Sequence, residues 1–297
     1  MSLVEELKQV LFRPRRKLHQ FIAINVFVFF VIKLIFAVEF VFKLPINISA
    51  KVVEYSMLPA SLDILIKRPW TLFTYMFLHT DFFHLLFNMI GLYWFGQLLE
   101  EYLGGKKFAI IYILGGLTGG LLFIALYNLL PAYDPFVAKA QALGASAGVL
   151  AIIVATATLL PDYQLMVFLF GLIKLKYIAV LFVLLDLINI TGSNAGGHIA
   201  HLGGAILGFI YIKQLHKGRD FGSPFSALGK KIANFFKRKP KLKVAYKNTG
   251  NDRKNVKKQV DKQEIIDRIL DKISKHGYEG LTKEEKETLF RASQEKE

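Results

Sequence analysis

Residues 82–103 read FFHLLFNMIGLYWFGQLLEEYL. A helix of about 20 mostly apolar residues is what a bilayer crossing needs. This run meets that length, yet it carries His84 and Asn88 near its start, four residues apart and so on one helix face. Working outward, five more runs of the same kind appear, at 21–44 before it and at 108–131, 142–160, 168–190 and 195–216 after it. The chain as a whole agrees: 53% of its 297 residues are hydrophobic, 21% are charged and the mean hydropathy is +0.38. An ordinary soluble domain carries about 25% charge. The sequence therefore predicts an all-α membrane protein, a bundle of six transmembrane helices over residues 21–216. The absence of Cys excludes a disulfide framework, a thiolate metal site and a cysteine nucleophile.

The net charge of +15 is unevenly placed. Residues 213–260 hold 15 basic and 2 acidic side chains, whereas 261–297 hold 8 and 10. A basic stretch beside a membrane segment reads as a topology and headgroup signal, with the lipid bilayer as partner and no nucleic acid. Arg13, Arg15, Arg16 and Lys17 precede the first run, Lys106 and Lys107 lie between the second and third, and Lys174 and Lys176 lie in the fifth. The positive-inside rule puts all of these, and the basic tail, in the cytoplasm. That predicts a multi-pass protein of the cell inner (plasma) membrane with both termini cytoplasmic, a basic N-terminus over 1–20 and a retained first anchor. The first span carries Lys33 and Glu39, which implies tilt, snorkelling or burial against protein. The loop at 45–81 is too long for a simple connector, and its apolar stretch 57–66 suits an interfacial or re-entrant helix. Trp70 and Trp94 suit interface anchors. After a basic linker at 217–260, Ile265, Ile266, Ile269, Leu270 and Ile273 recur at helical spacing. Gly277 and Gly280 break that helix, and Thr282 before Glu285 is a capping-box pattern for a second one. The tail over 261–297 reads as a small helical hairpin, either a docking module for a cytoplasmic partner or a solvated pair on a basic anchor.

Polar groups inside hydrocarbon are costly and by default mark function. Beside His84 and Asn88 stand Gly144-Ala-Ser146-Ala-Gly148 at the start of the fourth run, Gly197-His198-Ile-Ala-His201 at the start of the sixth, and Asp186 near the end of the fifth. By the topology above, all lie roughly 3–9 Å below one surface at about 1.5 Å per residue. A serine, a base to take its proton and donors for an oxyanion are what acyl transfer needs. Each piece also has a plainer reading. Small-residue runs let membrane helices pack closely. G-x-S-x-G is the hydrolase elbow only when a strand precedes it, and here a membrane helix follows. His198 and His201 could be metal ligands three apart, but they lack a nearby Glu and a clear third ligand, so no metal and no cofactor are expected. Matched depth on separate helices is what favours catalysis, and the residues alone recruit Asp186 to orient His198.

Together these motifs resemble the rhomboid family of intramembrane serine proteases, bacterial type, over about residues 69–208. The resemblance rests on Pro69-Trp70, Phe73-Thr74, His79, His84-Leu-Leu-Phe-Asn88, Glu100 twelve residues later, the Ser146 motif and Gly-His198-Ile-Ala-His201-Leu-Gly-Gly. It implies a six-transmembrane-helix rhomboid-like bundle with a small cytoplasmic helical C-terminal tail, and a cavity open to the outside. It implies Ser146 as nucleophile, His198 rather than His201 as its general base, and an oxyanion hole from His84, Asn88 and the Ser146 backbone N–H, without Asp186. The implied substrates are transmembrane segments of membrane proteins. Three positions depart from the family pattern: Ala147 stands where a Gly follows the serine, Leu150 where an aromatic is frequent, and Thr71 where an Arg often follows the loop tryptophan. The alternative is a non-catalytic rhomboid-like protein that binds transmembrane segments. A channel would want polar groups at several depths, not in one layer.

Overall fold

The computed structural model describes residues 16–45, 47–167, 171–220, 222 and 251–294. The helices are α1 Lys17–Val41, α2 Ile48–Ser56, α3 Leu62–Lys67, the single turn α4 Thr71–Thr74, α5 Phe82–Leu129, α6 Ser146–Leu159, α7 Leu175–Ile188, α8 Ala195–His216, α9 Asn251–His276 and α10 Lys283–Gln294. Two short antiparallel ladders join them: β1 Leu58–Pro59 with β2 Gln141–Ala142, and β3 Gln164–Val167 with β4 Gly171–Lys174. The chain divides into two compact units, 1–236 and 237–297. Of the basic N-terminus, residues 1–15 lie outside the described residues, as do 221 and 223–250 of the linker.

Among the described residues, three helices, α1, α5 and α8, are long and apolar enough to cross a membrane by length and composition. Helix α5 is 48 residues long and breaks at Gly104, whose φ of 78° leaves the helical region. The expected runs 82–103 and 108–131 are thus two helices meeting at a residue that a side chain would strain. Helices α6 and α7 are 14 residues each, shorter than the expected runs 142–160 and 168–190. At 142 the reason is the β1–β2 pairing, which holds the chain extended. At the other run, Gly171–Lys174 pairs back on Gln164–Val167 as a hairpin arm. A short apolar run suits strand and helix alike until its neighbours decide.

Helix α6 is the centre. Residues 147–157 are all buried, as expected of a helix apolar on every side. It packs against α5 and α8 with backbones nearly touching. A Cβ at Gly204 would collide with the Ala147 carbonyl, and one at Gly208 with the Ala151 carbonyl. A Cβ at Gly119 of α5 would lie 2.7 Å from the Ala147 Cβ. Small residues at such crossings give the close packing that membrane helices use in place of a hydrophobic driving force. Because Gly204 meets Ala147 and Gly208 meets Ala151, α6 and α8 run parallel in fixed register. Helix α7 is peripheral, with only Leu175, Ala179 and Asp186 buried.

The start of α1 is tied to the far end of the first α5 segment. Glu100 Oε1 accepts from the Lys17 backbone N at 2.6 Å and Oε2 from the Leu18 N at 3.2 Å, meeting two of the donors a helix start leaves open. Glu39 faces protein, accepting from the Ser49 backbone N at 2.9 Å and from the Ser49 hydroxyl. Within 45–81, the expected apolar helix over 57–66 is a strand followed by α3, since β1 pairs with β2 before the helix begins. Trp70 Nε1 donates to the Tyr55 carbonyl at 2.9 Å, and the Arg68 guanidinium lies 3.7 Å from the centre of the Tyr55 ring and reaches Glu54. Arg68 and Trp70 thus pin this loop, while Thr71 is buried and donates to the Arg68 carbonyl.

In the second unit Gly277 (φ 72°) ends α9, and α10 opens on the expected capping box. Thr282 N donates to Glu285 Oε2 at 2.8 Å, and Glu285 N to the Thr282 hydroxyl at 3.3 Å.

Candidate active site

Ser146 is the first residue of α6. Its position is set from outside the helix. The loop before it is anchored where Gly144 N donates to the Tyr75 carbonyl at 2.9 Å and Ala145 N to His79 Nε2 at 3.3 Å. Gly144 has φ 121°, open to glycine and hostile to other residues. A Cβ there would also sit 2.9 Å from His84 Nε2 and 3.6 Å from Ser146 Oγ. One glycine therefore lets the strand turn into the helix and lets His84 approach the serine. Placing Ser146 at a helix start leaves its backbone N–H free of an intrahelical partner and in positive potential.

His84 lies in the first turn of α5, whose N-cap Asp81 accepts through its carboxylate from the His84 backbone N at 2.8 Å. Asn88 is buried, and its amide donates to the His84 carbonyl at 2.8 Å. Both line a cavity of about 690 Å³ that also holds Ser146, Asp186 and His201. Residues from α5, α6, α7 and α8 thus meet in one chamber, whose other walls are largely apolar.

His198 does not line that cavity; His201 does. The register of α8 on α6 gives the reason. Gly204 and Gly208 mark the stripe of α8 that faces α6. At about 100° per residue, His201 lies about 20° from Gly208 and about 60° from Gly204, whereas His198 lies about 80° and 120° away. Ser146 is level with residue 203, so His201 is displaced along the axis by about 3 Å and His198 by about 7.5 Å. The sequence reading takes His198 as the base; of the two histidines, the one that lines the cavity with Ser146 is His201. Depth along a helix does not give its phase. The stripe Gly197, His201, Gly204, Gly208, spaced 4, 3 and 4, was the available signal.

The residues alone recruit Asp186 to orient His198, whereas the resemblance implies a base without it. His198 Nδ1 and His201 Nδ1 both lie 2.8 Å from its Oδ1, and its side chain is 10% exposed. A carboxylate accepting from Nδ1–H fixes the tautomer and leaves Nε2 with its lone pair free. His79, quoted in the sequence with no role attached, is fully buried and braces the serine loop. Ala147 also finds its explanation: its methyl fills the space that Gly119 leaves open, and the glycine one place later, Gly148, lies against the Tyr112 carbonyl, 2.9 Å from where its Cβ would be.

Comparison with known proteins bears on the same region. Residues 67–218 match the Rhomboid domain family, and 248–295 match a family of unknown function (DUF6576). RHOMBOID-like protein 12, mitochondrial, of Arabidopsis thaliana is 32% identical over 162 residues, covering 51% of this chain and 48% of that protein. Rhomboid-like protein 14, mitochondrial, of Arabidopsis thaliana is 33% identical over 156 residues, 51% of this chain and 44% of that protein. The presenilin-associated rhomboid-like protein A, mitochondrial, of Danio rerio is 28% identical over 145 residues, 48% of this chain and 36% of that protein. The chain spans less than half the length of these relatives.

Proposed function

The chain belongs to the rhomboid family, and on that premise we propose that it is an intramembrane serine endopeptidase that cuts transmembrane segments of membrane proteins. The observation that carries this reading is the meeting of Ser146, His201, Asp186, His84 and Asn88 on one cavity.

In the proposed reaction His201 Nε2 takes the proton of Ser146 Oγ as the oxygen attacks a peptide carbonyl. The carbonyl π pair moves to oxygen, and the resulting oxyanion accepts hydrogen bonds from the Ser146 N–H, His84 and Asn88. Collapse expels the amine, which receives the proton from His201, and leaves an acyl ester on Ser146. Water, deprotonated by the same imidazole, hydrolyses the ester. Asp186 stabilises the imidazolium formed in both halves. Each oxyanion donor is worth about 10²–10³ in rate.

The six-span count belongs to the same proposal: α1, the two halves of α5, α6, α7 and α8 each cross, with the short α6 enclosed by its neighbours. The excess of Lys and Arg on one side supports cytoplasmic termini and a plasma-membrane setting. The site needs no metal or cofactor for this chemistry. Transmembrane substrates and the bilayer are its proposed partners, and a cytoplasmic partner of the tail is a further one.

The test is cleavage of a reporter transmembrane segment by purified protein in liposomes. Ser146→Ala and His201→Ala are each expected to lower turnover by at least about 10³-fold, and His198→Ala by far less. Loss through His198→Ala with retention in His201→Ala would return the base to His198. Unchanged cellular function in a Ser146→Ala strain would favour the second reading, a non-catalytic binder of transmembrane segments.

A further inference from the structure

The two histidines meet one carboxylate oxygen, and only one of them is needed beside the serine. We propose that Asp186, His198 and His201 form a three-ligand site for a borderline divalent cation of the Zn²⁺ class, and that filling it switches the serine site off. The switching half rests on the proteolytic reading above; the binding half does not.

The donor set is the observation. Both imidazole Nδ1 atoms are 2.8 Å from Asp186 Oδ1, and the three ligand atoms lie within 4.8 Å of one another. Two nitrogens and a carboxylate oxygen with one position left over is a ligand set that Zn²⁺ takes, at about 2.0–2.2 Å per bond. A tetrahedral arrangement at that bond length spaces ligand atoms about 3.3–3.6 Å apart, so the two nitrogen–oxygen contacts would open by about 0.5–0.8 Å, and the two nitrogens, now within 4.8 Å of each other, would take up the same spacing. The sequence showed two histidines three apart and no third ligand; folding supplies it from α7. The site is reachable, because Asp186 and His201 line the cavity. No Lys or Arg is among the described residues lining that cavity, so no fixed cation competes.

The switch follows from the tautomer. Hydrogen bonding to Asp186 keeps the proton of neutral His201 on Nδ1 and the lone pair on Nε2. A cation bound at Nδ1 uses the lone pair there, so the Nδ1 proton leaves and Nε2 takes one up. The neutral ring then presents Nε2–H to Ser146, a donor with no pair to accept the hydroxyl proton. The net proton count of the ring is unchanged, and nothing is oxidised or reduced. Removing the cation reverses the shift.

The test uses the full chain in detergent. In a Ser146→Ala background, Co²⁺ is titrated by visible absorption and Zn²⁺ by calorimetry, with chelated protein as reference. The expected result is a tetrahedral Co²⁺ band that Zn²⁺ displaces, with affinity at least about 10-fold weaker in both His198→Ala and His198→Asn. A missing band, or the same affinity in both variants while they melt like the parent, overturns the site. In wild type, reporter cleavage is expected to fall as Zn²⁺ occupancy rises and to return with EDTA; full occupancy with undiminished cleavage overturns the switch. If chelated wild type cleaves nothing while the Co²⁺ band is intact, the proteolytic reading and the switch fail together and the metal site stands.

Discussion

In the proposed mechanism, a shift of three residues along a helix decides which imidazole serves the serine. His198 and His201 share the Asp186 oxygen, but the α6-facing stripe carries only His201 to the cavity. Asp186→Asn is therefore expected to lower cleavage by about 10²–10⁴-fold while folding is kept. The drop should sit in kcat rather than in KM, measured with a reporter helix at several concentrations, because the carboxylate acts on the charge formed in the transition state. Gly144→Ala is expected to cost activity as severely, since the new methyl would press on His84 and strain a residue at φ 121°. At this scale much of the site could be read from the chain. Ser146, His84, Asn88 and Asp186 were all singled out by type and depth, and all line the cavity. Depth alone does not choose between the two histidines, because a helix sets direction as well as height, and it is the glycine stripe that carries direction. His79 was invisible as a brace because its role depends on a loop 66 residues later in the chain.

At the scale of the element, α6 governs the site, and its seat between α5 and α8 depends on residues too small to fill the gap. Gly204→Val is expected to destabilise the protein by at least about 1–3 kcal/mol, because the Ala147 carbonyl cannot retreat within a buried helix. Leu121→Ala, on an exposed part of α5, should be near neutral. Thermal unfolding of both variants in one detergent compares them directly. Glu100→Gln should weaken the start of α1 by about 1.5 kcal/mol, the loss expected when a charged acceptor of two backbone donors becomes neutral. The long apolar runs told where helices lie, and residues 82–103 did so almost to the residue. The ends of the runs at 142 and 168 were missed for a physical reason. Strand pairing is a contact with another part of the chain, and hydropathy does not record partners.

For the whole molecule, the two compact units differ in what holds them. The first is packed through small residues and apolar faces. The second, with α9 and α10, has a capping box, a Lys272–Glu285 ion pair at 2.9 Å and buried Ile269 and Leu281. The Lys272 ammonium and the Thr282 backbone N–H hold the Glu285 carboxyl below its ordinary value. A carboxylate with a lowered folded value contributes stability above the ordinary range near 4.5 and loses it as pH falls through the folded value. Hydrogen exchange at 283–294 is thus expected to speed up in acid beyond its intrinsic change, and Glu285→Gln should abolish that extra effect. Deleting 223–297 is expected to leave cleavage by the first unit intact. Along the sequence, apolar runs give way to a basic stretch and then to balanced charge.

The central claim is that Ser146 is made nucleophilic by His201. It is tested most directly by the rate at which a fluorophosphonate labels Ser146 in wild type, His198→Ala, His201→Ala and Ser146→Ala protein, with the modified residue identified by mass spectrometry. The account predicts labelling at Ser146 in wild type and in His198→Ala, a rate at least about 10³-fold lower in His201→Ala, and none in Ser146→Ala. Labelling that survives His201→Ala at the wild-type rate, or a folded wild-type protein whose Ser146 stays unmodified, would contradict it.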